Sequence, residues 1–300
     1  MWFPKEQLVI NFDKTISIAR RNVMKKLITF QIIFVLFAVI FTMSSANAGG
    51  WKKSYHAGTF DKNLNYMGGT EIMSLTSHKG KLYAATGMWM NSLPLPDSIG
   101  AQILVKESPG KKWKLDYQTD KQILRVDCLA SITLGTDGKG NKLSQPVNLL
   151  VAGLWDTGSP LAAAATVAVR DDEKNKWVTT DLLKFPAGNY QAMIRAFGTH
   201  KDRITGVDHV FAAFAGIIYR GVYDSTAPGQ IKWESKPEII KNAIDRLMSF
   251  GECNGELYAA IKPAIYKRID GPTPAWEKVC EYTTFPGDKP SSQGGSSGMR

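Results

Sequence analysis

Short runs of β-branched, aromatic and small residues, bounded by turn residues, return along the chain at intervals of roughly 45 to 65 residues. Leu82 to Thr86 is followed by Leu149 to Gly153, Val210 to Phe214 and Leu257 to Ile261. Unbroken apolar character with small residues late in the run fits a strand buried on both faces. A strand precedes each run, at Ile72 to Thr76, Val126 to Ser131, Met193 to Thr199 and Leu247 to Gly251. Between the two lie turn residues, as in Asn254-Gly255-Glu256, a strong hairpin signal. A third strand follows at Gln102 to Lys106, Thr166 to Arg170, Ile217 to Tyr223 and Ala264 to Ile269. A fourth opens on Trp113, Trp177, Trp233 and Trp276, whose large apolar plates suit the rim of a sheet. The pattern predicts an all-β fold, a β-propeller of four-stranded antiparallel blades.

Trp51 to Tyr55 reads as a further outer strand lying ahead of every blade. In a propeller an N-terminal strand can complete the last blade, which removes exposed strand edges. Its partner strands are not seen, and Ser291 to Gly298 has a linker's composition. The expectation is four visible blades of a propeller truncated at the C-terminus, with apolar first and last faces. Residues 49–285 then hold the blades, 49–69 the closing strand, and 286–300 a linker and the start of another blade.

Ahead of the blades the hydropathy changes character. Lys25 and Lys26 form a basic head, Leu27 to Met43 an uncharged apolar run, and Ser44 to Ala48 a small-residue exit. These are the three parts of a secretory signal peptide, residues 24–48, cleaved after Ala48. Residues 1–23 are an upstream tail, or translation begins at Met24. An exported domain is expected, periplasmic or extracellular, touching a membrane only through the signal segment.

The formal net charge is +10. It is spread along the chain without a run of five like charges, which argues against nucleic acid as a partner. The three cysteines, Cys128, Cys253 and Cys280, are an odd number in a disulfide-permissive compartment and read as buried small residues. No nucleophile elbow, Gly-rich phosphate loop or metal-ligand spacing is present, so the sequence implies no cofactor and no metal. His78, His200 and Cys253 share one register of the first hairpin turn, yet equivalent turns of neighbouring blades lie too far apart for one ion.

The segment between third and fourth strands resembles the Asp-box repeat of sialidases and related exported propellers. Lys106 to Trp113 keeps its Gly110 and Trp113, and Arg170 to Trp177 keeps its Asp172 and Trp177. The opening Ser is lost in both, and the repeats ending at Trp233 and Trp276 fit only in the Trp. The resemblance implies the architecture. The Arg-Ile-Pro motif near the start of sialidases is absent, so it does not carry their chemistry over.

Propeller ligands usually sit at the channel mouth, on loops joining second and third strands. The first such loop holds Trp89, Asn91 and Asp97, and the second holds Trp155 and Asp156. Aromatic plates beside amide and carboxylate groups suit a carbohydrate or small amphipathic ligand, while such Trp residues also pack readily on a neighbouring blade. Arg125, Arg195 and Arg246 recur at the entry to the innermost strand, at offsets that share one face. Converging guanidinium groups there would bind a carboxylate, phosphate or sulfate. The leading expectation is a non-catalytic exported propeller binding a carbohydrate or anionic small molecule through its loop face. The alternatives are a hydrolase acting on a glycan or ester, and an adhesion module using the disc rim. The sequence carries no signal of oligomeric state.

Overall fold

The computed structural model describes residues 52–88, 99–156, 162–186, 193–241, 247–262 and 264–281. The segment read as a signal peptide, Trp51, Trp89, Asn91, Asp97, Arg246 and residues 282–300 lie outside the described residues. Among those described, a short hairpin of β1 (Thr59–Phe60) and β2 (Tyr66–Met67) precedes four blades. Blade one is β3 (Glu71–His78), β4 (Lys81–Gly87), β5 (Gln102–Lys106) and β6 (Lys114–Gln118). Blade two is β7 (Ile123–Thr136), β8 (Lys142–Asp156), β9 (Ala162–Asp171) and β10 (Lys176–Pro186).

Blade three is β11 (Ala196–Lys201), β12 (Asp208–Phe214), β13 (Ile217–Tyr223) and a split outer strand, β14 (Ile231–Trp233) with β15 (Ile239–Ile240). Blade four is β16 (Leu247–Cys253), β17 (Glu256–Ile261), β18 (Ala264–Ile269) and β19 (Ala275–Glu281). Every pairing within a blade is antiparallel. The all-β architecture is therefore that of a propeller, each blade led by its innermost strand, with blades one and two joined into one continuous sheet by the β4–β7 pair Gly87↔Arg125.

Alternation along single strands explains the stacking. On β12, Val210, Ala212 and Phe214 pack with Leu149, Val151, Val167 and Val169 of blade two. The intervening Phe211 and Ala213 pack with Leu247, Leu257, Ala259 and Ile261 of blade four. Tyr83, Ala85, Ile103 and Val105 join blade one to Val126, Leu150, Ala152 and Leu154 of blade two. Because each sheet buries both faces, its middle strands read as continuous apolar runs, which is what made them visible in the sequence.

Two readings change. Trp233 closes its strand instead of opening it, because Pro237 interrupts the outer strand and leaves the far half of β13 to pair with β15. Residues 52–56 form no strand. Ser54 instead accepts a hydrogen bond from Trp113 Nε1 at 3.1 Å, and Asp61 accepts one from the Leu115 backbone. With Tyr55 and Met67 packed on Ala84, Leu104 and Trp113, the segment 54–68 covers the face of blade one that turns away from blade two.

Charged clusters fasten two of the three blade junctions. Arg170 on β9 grips Asp116 of blade one with Nε at 2.9 Å and Nη2 at 3.0 Å, and also pairs with Asp172. Trp177 Nε1 donates to the same Asp116 at 2.8 Å, and His78 of blade one meets Asp172 at 2.9 Å. Blade four repeats this on blade three. Arg268 grips Glu238 at 3.1 Å twice, Trp276 Nε1 donates to Glu238, and His200 meets Asp270 at 3.0 Å. An aromatic ring lies beneath each guanidinium, Tyr83 in one and Phe211 in the other. At the junction of blades two and three the residue opposite the tryptophan is Gly221, and the joint is mainly apolar, with Asp208 accepting from the Gly135 N–H and donating its own N–H to the Thr136 hydroxyl.

Candidate functional site

The mouth end of the blades gathers a second set of charges. Glu71 opens β3, Gly87 ends β4, and Arg125 lies near the start of β7; the pairings Glu71↔Gly87 and Gly87↔Arg125 put them in one row. Glycine is needed at the middle of that row. A Cβ on Gly87 would lie 3.0 Å from Arg125 Cγ and 3.1 Å from Glu71 Oε1. Its absence lets Arg125 Nε come within 3.3 Å of Glu71 Oε1 across the intervening strand.

Arg125 stands opposite Trp155 in the β7–β8 ladder, with its guanidinium 4.9 Å from the indole centroid. A cation held over this ring is favoured by the ring's quadrupole, all the more where water is largely excluded. The register of β7 skips residues on either side of Arg125, and the second skip leaves Asp127 without a cross-strand partner. Such bulges re-aim side chains beside functional sites. Here the bulge brings Asp127 Oδ1 to 3.5 Å from Arg125 Nη1.

Asp127 is 6% exposed, and burial pushes its carboxyl above the usual range against the opposing pull of Arg195 and Arg125. Glu71 Oε1, Asp127 Oδ1 and Trp155 Nε1 are all buried without a hydrogen-bond partner among the described residues. Buried polar atoms are rarely left so, and each costs about 1–3 kcal/mol of desolvation when it is.

Of the eight residues proposed from the sequence, Arg125, Trp155 and Arg195 belong to one neighbourhood. Trp155 is not an open stacking plate: it is 3% exposed and Arg125 lies over its ring. Asp156 turns away to accept the Ala164 backbone N–H at 3.0 Å, holding the start of β9. Trp89, Asn91, Asp97 and Arg246 are outside the described residues. Glu71 and Asp127 were missed. The pattern Arg125-Val126-Asp127 was legible as two charges on one side of an inner strand, but the bulge that turns them together was not.

His78 and His200, equivalent in register, are equivalent in role as well, each bound to an aspartate of the next blade. The cysteines are not the buried small residues expected: Cys253 is exposed and Cys280 half-buried, while half-buried Cys128 directs Sγ at the Ile194 carbonyl at 3.4 Å and has its thiol raised by desolvation.

No family model matches the chain, and no curated protein matches it. Among solved structures it is similar to the Nup133 β-propeller domain of Vanderwaltozyma polyspora, at 14% identity and a TM-score of 0.32 over 77% of this chain. It is also similar to an exo-β-1,3-galactanase from Clostridium thermocellum, at 11% identity and a TM-score of 0.33 over 76% of this chain. A third is the Trypanosoma rangeli sialidase in complex with sialic acid, at 11% identity and a TM-score of 0.32 over 76%. The chain spans 59%, 51% and 41% of those three structures.

Proposed function

We propose that this chain is a ligand-binding propeller whose site is the mouth cluster of Glu71, Arg125, Asp127, Trp155 and Arg195, and that its ligand is a small carbohydrate or other molecule bearing an anionic group. The observation that carries this reading is the convergence of three unsatisfied buried polar atoms on one charged cluster. A ligand with hydroxyl and carboxylate groups supplies what they lack: hydroxyl donors for Glu71 and Asp127, an acceptor for the Trp155 N–H, and a negative charge facing the guanidinium groups. Calorimetric titration with hexuronate oligosaccharides against their neutral counterparts tests it. Binding of the acidic sugars, weakened at least tenfold in Arg125→Ala, is the expected result. Equal affinity for neutral sugars, or none for either, overturns it.

A hydrolytic reading has its own support in Glu71 and Asp127, two carboxyl groups flanking one guanidinium. A pair of carboxyl groups at one site is the equipment of glycoside hydrolysis. Its test is release of nitrophenol from nitrophenyl glycosides, abolished in Asp127→Asn. The reading also places the protein outside the cytoplasm, which rests on residues 24–48 alone. Mass spectrometry of exported material should find an N-terminus at Gly49, and one at Met1 or Met24 would exclude cleavage.

A further inference from the structure

The strands that begin at the mouth end at a second cavity. It encloses about 630 Å³ between the β7–β8 hairpin, blade three and the β18–β19 turn, with Lys139, Val207, His209, Arg220, Lys232 and Pro272 among its lining. Its charged lining is balanced in number, Asp137, Asp224 and Glu234 against Lys139, Arg220 and Lys232, but the acids are held by close partners. Both oxygens of Asp137 are taken by its own turn, through the N–H groups of Lys139 and Asn141 and the Asn141 amide. Asp224 accepts from the Thr226 N–H and hydroxyl, and Glu234 lies against Arg220. The acids at the cavity are thus already engaged.

The basic groups are not spent in the same way. Lys139 and Lys232 are exposed and enter no ion pair among the described residues. His209 is 5% exposed, and among the described residues its Nδ1 has no hydrogen-bond partner; Arg220 Nε is likewise buried without one there. Val207, Val222, Leu143 and Pro272 supply apolar wall between these groups. A volume of this size belongs to the range that holds small organic ligands, and its lining, apolar and polar in about equal parts, suits one with both an apolar body and a charged group.

We infer that this cavity is a second binding site, distinct from the mouth, for a small organic oxyanion: an apolar body against Val207, Val222 and Pro272, with its phosphate or carboxylate drawn to Lys139 and Lys232. Two ammonium groups are point charges that accept either oxyanion without bidentate geometry. His209 suits the apolar part of such a site. Burial, reinforced by Arg220 and Arg268, pulls it down to about 3, so it is a neutral imidazole near pH 7.

Phenyl phosphate, inorganic phosphate and benzyl alcohol are the probes, titrated into the full chain by calorimetry at low salt. Phenyl phosphate should bind saturably and more tightly than inorganic phosphate, and benzyl alcohol should not bind. The double variant Lys139→Ala/Lys232→Ala changes only exposed side chains, so it should stay folded while weakening phenyl phosphate at least tenfold. Arg125→Ala should leave unchanged the binding that the double variant weakens, which separates this site from any binding at the mouth. Absence of saturable binding, an unchanged affinity in the double variant, or loss of that same binding in Arg125→Ala would each overturn the inference. Inorganic phosphate binding as tightly as phenyl phosphate would remove the apolar body from it.

Discussion

Arg268 and Arg125 occupy buried sites made of the same parts, a guanidinium, carboxylates, a tryptophan and an aromatic face, and they use them differently. Arg268 is 1% exposed. Its Nε, Nη1 and Nη2 donate to Glu238, Asp202 and Asp270, and the nearby indole N–H bonds Glu238 as well. Arg125 lies 3.3–3.5 Å from its two carboxylates, and Glu71, Asp127 and Trp155 each retain an unsatisfied atom. A closed network fastens blades. An open one has capacity left for something that arrives, and on that contrast rests the proposal of a binding site at the second.

The largest effect expected from this contrast is on stability. Arg268→Ala leaves Asp202 buried without a cationic partner, while Glu238 keeps Arg220 and the Trp276 N–H, and should cost about 3 kcal/mol. Arg125→Ala should cost clearly less, because its two carboxylate contacts are longer, at 3.3 and 3.5 Å, while weakening binding at the mouth at least tenfold. Urea unfolding of both variants decides it, and equal losses would erase the distinction.

Acid should separate the two regions by sign. Burial alone would raise Asp172, but hydrogen bonds from Lys79, His78 and Arg170 outweigh it and hold the carboxyl at about 2. Its folded value lies below its unfolded one, so its contribution is present above pH ~4 and fades as pH falls through 2. Asp172→Asn should therefore cost about 2 kcal/mol at pH 7 and almost nothing near pH 2. Asp127 is shifted the other way, by burial. Its ionised form is a burden above its folded pKa that is absent below the unfolded one near 4, so Asp127→Asn should stabilise at pH 7 and be neutral below pH 4. Denaturant midpoints across this range measure both.

The smallest test compares tryptophans. Trp177→Phe removes an N–H that bonds Asp116 and should cost about 1–2 kcal/mol. Trp155→Phe removes an N–H that bonds nothing described, and should cost less than about 0.5 kcal/mol beyond the lost ring area. A larger loss at Trp155 would show that its indole N–H is already satisfied, weakening the mouth as a site.

The blades were legible because burial on both faces writes a continuous apolar run, and because each outer strand carries a tryptophan at a nearly constant place. The clusters were not. Arg170 and Asp116 lie on different blades, as do Arg268 and Glu238, so no spacing announces either pair. One trace was present in the shared register of His78 and His200. The other was the Arg-x-Asp at Arg170 to Asp172 and Arg268 to Asp270, which is hidden by a turn one residue longer before Trp276 than before Trp177. The mouth was half legible: arginines at strand entries point to it, whereas Glu71 and Asp127 join only through a glycine and a bulge.

The fastened junctions alternate, and that has a consequence for how such a chain can grow or shrink. Blades one and three offer a histidine and a carboxylate, while blades two and four answer with Arg, Asp and Trp. The heritable module is accordingly a couple, not a single blade. Duplicating or deleting one blade would set two givers or two receivers side by side and strand a buried guanidinium or carboxylate at the seam. Copying two at a time keeps every lock facing its key.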